Sequence, residues 1–65
     1  MRFSDFDFNS ESYGRICILA LGRKVHFPVG TEAKMKEIYG SLYIDKLEKS
    51  ENGEWLYIYL KEEEN

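Results

Sequence analysis

A chain of 65 residues with one cysteine, one histidine and a net charge of −3 has room for one small domain, but not for an intrachain disulfide or a four-ligand Cys/His metal site. Its 43% hydrophobic and 15% aromatic content excludes a disordered chain, and its longest apolar run, residues 16–21, is far too short to span a membrane. The acidic balance disfavours non-specific binding to nucleic acid; the lone thiol and the lack of a signal-peptide pattern fit the cytoplasm.

Residues 1–12 place Phe6 and Phe8 on one parity with Asp5 and Asp7 between them. This reads either as an N-terminal edge strand with a charged outer side or as a loose tail that docks its phenylalanines. The folded domain is expected to span 13–61, with 62–65 as an acidic C-terminal tail.

Residues 15–29 carry the strongest hairpin pattern. Gly22-Arg23 fits a two-residue type II′ turn, which favours glycine at its first central position. That turn sets Ile18 opposite Phe27 and Ile16 opposite Val29. One face then reads Ile16, Ile18, Ala20, Val25, Phe27, Val29; the other carries Cys17, Leu19, Leu21 and His26. Pro28 lacks an N–H and belongs at the end of the strand or on an unpaired edge.

After Gly30, Thr31 is suited to cap a helix with its hydroxyl. Met35, Ile38, Tyr39 and Leu42 form one helical stripe. Glu32 and Lys36 are an i, i+4 pair, and Gly40 suits a left-handed stop. The predicted helix, 31–39, is too short to stand alone and must pack on a sheet, burying Met35, Ile38 and Tyr39.

Residues 42–61 form a second hairpin around Asn52-Gly53. A four-residue loop over 50–53 avoids facing Glu51 with Glu54 and pairs Lys49 with Glu54. Leu56, Ile58 and Leu60 point to the core, and Trp55, Tyr57 and Tyr59 point away from it. The expected fold is therefore α+β: a small antiparallel sheet of two β-hairpins, in the order ββαββ, with one short helix packed on it and room for an extra N-terminal edge strand.

The row Trp55, Tyr57, Tyr59 is the main candidate site. Aromatics offer large contact area with few rotatable bonds, so they anchor partners well; they also serve as a second core face or a dimer interface. Tyr43 and Lys46 are expected beside them. No catalytic or metal-binding arrangement stands out, and no cofactor is implied. Cys17 and His26 share a face, but an apolar neighbourhood raises a thiol pKa and leaves it inert. The reading is thus a non-enzymatic protein-interaction module that regulates or inhibits a larger partner, by analogy with phage and mobile-element accessory proteins, with a homodimer compatible with its small core.

The alternative is a dimeric nucleic-acid-binding regulator using Arg15, Arg23 and Lys24 of the first hairpin. Gly22-Arg23 with Val25, Phe27 and Pro28, then a short helix and a hairpin ending Leu60-Lys61, faintly resembles the AbrB-type swapped-hairpin transcription factors over residues 14–61, and that resemblance implies a DNA-binding dimer. The interval from Gly22-Arg23 to Pro28 is one residue longer than in that pattern, the acidic residue before Gly-Arg is missing, and Ile16 to Leu21 lacks the basic residues such proteins present to DNA.

Overall fold

The computed structural model describes residues 1–63; positions 64 and 65 of the acidic tail lie outside the described residues. Two β-hairpins flank one helix: β1 (Arg15–Ala20), β2 (Arg23–Phe27), α1 (Glu32–Tyr39), β3 (Tyr43–Lys49) and β4 (Trp55–Lys61). They form one four-stranded sheet in the order β2-β1-β4-β3, so the ββαββ arrangement is as expected.

The sheet is mixed, however, not antiparallel throughout. Each hairpin is antiparallel within itself, but the two join through a parallel pair, Ile16 opposite Leu56 and Ile18 opposite Ile58. The cause is the helix. It carries the chain from one edge strand, β2, to the other, β3, as a crossover connection, and crossovers set the strands they link parallel. With β2 parallel to β3, their hairpin partners β1 and β4 are parallel too.

The first turn sits one residue earlier than predicted. Its central residues are Leu21 and Gly22, at φ 53° and 75°, the two positive values of a type I′ turn, whose twist matches that of the strands. Ile18 therefore faces Val25, and Ile16 faces Phe27. The displacement moves each partner by two positions, so the side chains within the strands keep their predicted faces, but Val29, predicted on the apolar face opposite Ile16, falls beyond β2 and is 52% exposed. A leucine in the left-handed region is strained by clash of its Cβ, and Leu21 is 59% exposed, so little burial offsets that strain. Leu21→Asn should raise stability by about 0.5–1 kcal/mol; a urea midpoint that falls instead would show that Leu21 is held by packing.

The second loop has the expected four residues, also shifted by one. Ser50 and Trp55 close it, with Ser50 N–H to Trp55 O at 3.0 Å and Trp55 N–H to Ser50 Oγ at 3.0 Å. Lys49 thus faces Leu56 rather than Glu54. The polar side chain of Ser50 favours this register by capping Trp55 N–H. In β3 a bulge at Asp45 turns Tyr43 to the face opposite Ile44 and lets Lys46 share the side of Tyr59.

The core lies between the sheet and α1. Ile16, Ile18, Ala20, Leu56, Ile58 and Leu60 meet Met35. Tyr39 and Leu42 are packed against this cluster, but Ile38 is 52% exposed, contrary to the predicted stripe. At 100° per residue, Ile38 lies about 60° to one side of Met35 and Tyr39 about 40° to the other. The N-terminal aromatics pack on Tyr39's side, with Lys36 over the Phe8 ring, and turn Ile38 outward.

Those aromatics correct the reading of residues 1–12. They form two 3₁₀ turns, Phe3–Asp5 and Phe8–Ser10, in place of an edge strand or loose backbone, and the expected docking of phenylalanines is present, with Phe6 buried and Phe8 packed against the core. Phe3 and Phe6 are core residues, so the domain begins here rather than at 13. A trace of edge pairing persists: Phe3 N–H donates to Leu42 O at 2.8 Å, Ile44 N–H to Met1 O at 2.9 Å, and Arg2 bridges Tyr43.

The ends of α1 also differ. Thr31 makes no side-chain cap; its hydroxyl donates to Pro28 O at 2.7 Å, and Glu32 instead accepts from Gly30 N–H at 2.7 Å. Glu32 does not pair with Lys36, because its other oxygen accepts from the Tyr13 hydroxyl at 2.7 Å. Gly40 has φ −60°, so it is not a left-handed stop. Its lack of a side chain leaves room: a Cβ there would collide with the Lys36 carbonyl and approach Ser4 Cβ to 3.2 Å, where the N-terminal turn docks.

Candidate functional site

One face of the sheet is covered by α1 and the N-terminal turns; the other is open among the described residues. Alternation along β4 sends Leu56, Ile58 and Leu60 into the core and Trp55, Tyr57 and Tyr59 to the open face, where all three are half-buried. Lys46 is opposite Tyr59, Glu48 opposite Tyr57 and Tyr43 opposite Lys61. The five predicted site residues, Trp55, Tyr57, Tyr59, Tyr43 and Lys46, therefore share this face.

The rings are ordered by one another and by cations. Trp55 and Tyr57 stack at 6.1 Å with an interplanar angle of 10°. The His26 ring is 4.9 Å from Trp55. Arg15 lies 5.5 Å over the Trp55 ring, Lys46 4.5 Å over Tyr59 and Arg2 5.4 Å over Tyr43. Cations are attracted to the negative ring faces, so three of the four aromatic residues carry one. Arg15 is also tied to Glu54 at 3.2 Å. The Glu48 carboxylate beside Tyr59, with burial adding to it, raises that phenol above its ordinary range.

The residues of the nucleic-acid reading are not brought together. Arg15 begins β1, whereas Arg23 and Lys24 pair with Ala20 and Leu19 at the other end of that strand, roughly 15 Å away. Arg23 shares the parity of Val25 and Phe27, on the helix side, and only Lys24 joins the open face. Arg2 escaped sequence reasoning entirely, because its place depends on Phe3 anchoring the N-terminus below β3.

A shallow cleft of about 360 Å³ lies at the Trp55 end of the face, lined by Arg15, His26, Phe27, Pro28, Val29 and Trp55. Beside it, Cys17 faces His26 directly, closer than the predicted register placed them. The thiol is fully buried, and burial raises its pKa, with the Lys24 charge opposing. Among the described residues, no group of three metal-ligating side chains is present, and no helix is long and apolar enough to cross a membrane.

Compared with protein-family models, curated proteins and solved structures, the chain matches none.

Away from the open face, the Tyr13–Glu32 bond couples the loop before β1 to the helix. Burial, then the bond to Glu32, pushes the Tyr13 phenol up to about 12. The same bond lowers the Glu32 carboxyl, against the opposing effect of burial. Tyr13's contribution to stability is full below its unfolded value of 10.0 and is lost as pH rises through about 12. Glu32's is full above its unfolded value of 4.5 and is lost as pH falls. The stability difference between the native chain and Tyr13→Phe should therefore be constant between those unfolded values and shrink outside them; denaturant midpoints across pH check this, and a constant difference at high pH would rule it out.

Proposed function

We propose that this protein is a non-enzymatic docking module that regulates or inhibits a larger protein through the open face of its sheet. The observation that carries the reading is the row of Trp55, Tyr57, Tyr59 and Tyr43, which, among the described residues, no helix or strand packs over and only the neighbouring cations Arg15, Lys46 and Arg2 touch from above. Trp, Tyr and Arg are the residue types that dominate binding energy at protein interfaces, and Arg15 and Arg2 complete the set here. The rings are held by neighbours before any partner arrives, so docking them costs little ordering entropy. A cytoplasmic setting suits the single thiol.

The alternative, a nucleic-acid-binding dimer built on Arg15, Arg23 and Lys24, has less to rest on, since those three side chains lie at two ends and on two faces of the sheet.

Immobilised protein should retain a partner that cross-links to Tyr57, and Trp55→Ala should weaken its capture by about 2 kcal/mol or more, while Lys34→Glu on the exposed flank of α1 leaves capture unchanged. Equal capture by the native chain and Trp55→Ala would overturn the proposal. Sedimentation equilibrium should show a monomer. A tight dimer with Trp55 shielded from quenchers would seat a second copy on the face and leave no room for another protein.

A further inference from the structure

The open face is not uniform. Its Trp55 end holds Arg15 paired with Glu54, beside His26. At the Tyr59 end, Lys24, Leu19, Tyr59 and Lys46 lie across the four strands in register, a row about 14 Å wide. Lys61 and Tyr43 form the next row, with Arg2 over Tyr43. Lys46 is 3.9 Å from Glu48 and Lys61 3.5 Å from Asp45. Among the described residues, Arg2 and Lys24 have no carboxylate within ion-pair distance, and Glu62 and Glu63, beyond the end of β4, pair with none of these cations. This half of the face is therefore positive on a chain whose net charge is −3.

From this charge distribution we infer that the partner seats a carboxylate-rich patch of a protein surface on Lys24, Lys46, Lys61 and Arg2, around Tyr59 and Tyr43. The inference rests on the docking reading above and names the chemistry of the partner. Three features favour a protein over a nucleic acid. Arg2, Arg15 and Lys46 already occupy ring faces on which bases would have to stack. Glu48 and Asp45 remain within the patch, where a phosphate backbone would meet them as like charges, whereas a protein surface can set a lysine against each. The acidic chain as a whole repels a polyanion. A second copy is disfavoured too, because two positive patches would face each other.

The test is a titration followed by backbone amide NMR, using a short glutamate-rich peptide and, separately, an oligothymidylate of similar length. The peptide should shift Leu19, Lys24, Lys46, Tyr59 and Lys61, and its binding should weaken as salt rises to physiological strength. Lys24→Glu with Lys46→Glu should weaken it roughly tenfold or more, the paired glutamine variant should show a smaller loss with the same fold, and Lys34→Glu none. Absence of these shifts, shifts confined to the helix side, or tighter binding of the oligothymidylate at the same residues would each overturn the inference; the last would assign the patch to nucleic acid. If the peptide fails while Trp55→Ala still abolishes capture of a protein partner, the acidic partner is excluded and the docking face stands.

Discussion

Phe3→Ala is expected to destabilise the domain by about 3–5 kcal/mol, the largest effect of any single substitution considered. Phe3 is fully buried; its ring lies 6.4 Å from Phe6 and 5.8 Å from Phe8, and its N–H donates to Leu42 O. Removing the ring opens a cavity between the N-terminal turns and α1 and loosens the 3.2 Å bond from Ser4 N–H to Gly40 O. A domain of this length has a total stability of about 3–10 kcal/mol, at roughly 0.05–0.15 kcal/mol per residue, so the variant should be largely unfolded under mild denaturant. Phe3→Leu, which keeps most of the volume, should lose much less. Equilibrium denaturation of both variants decides the matter. A loss below about 0.5 kcal/mol for Phe3→Ala, the usual surface range, would mean that residues 1–12 are a loose tail after all.

Ile18→Ala should cost about 2–5 kcal/mol. Ile18 is central in β1, between Val25 and Ile58, and is fully buried. Both flanking strands are held by their ladders, so any relief of the gap falls to the flexible Met35 side chain in the same cluster. Phe27→Ala should cost less, although the residue is larger: Phe27 sits at the end of an edge strand, half-buried, edge-on to Tyr39 at 6.2 Å. The order of the two losses in chemical denaturation is the informative quantity. If Phe27→Ala were the more damaging, the core would be centred under β2 rather than under the β1/β4 pair.

The alternating faces of the hairpins were legible because period-2 patterning is local and a two-residue displacement preserves it. The turns themselves were not, for two reasons. Leu21 occupies a left-handed position that leucine seldom takes, so residue preference favours Gly22 as the first central residue rather than the second. In the other loop, Ser50 supplies a backbone cap that a charge-pair argument does not see. The N-terminal phenylalanines were visible as apolar residues, but a 3₁₀ turn has no extended periodicity to announce it. The parallel junction leaves no trace in any one segment, since it follows from how the crossover helix returns the chain.

The candidate site divides along the same line. Trp55, Tyr57 and Tyr59 are one strand's outward set and could be read directly. Tyr43 and Lys46 joined them across a bulge whose position no residue type signals. His26 was legible from the alternation of β2, whereas Arg2 reached the face only through tertiary placement.

The parallel β1/β4 pair also shapes the order of folding. Each hairpin closes over a loop of a few residues and can form in about 1–10 μs. Joining them brings Arg15 beside Trp55, 40 positions along the 65-residue chain, and the entropy of that closure is not recovered until Ile16, Ile18, Leu56 and Ile58 bury one another. Neither hairpin covers its apolar face beforehand. The two halves are therefore expected to fold together, with their meeting at the middle of the sheet slower than the making of either turn.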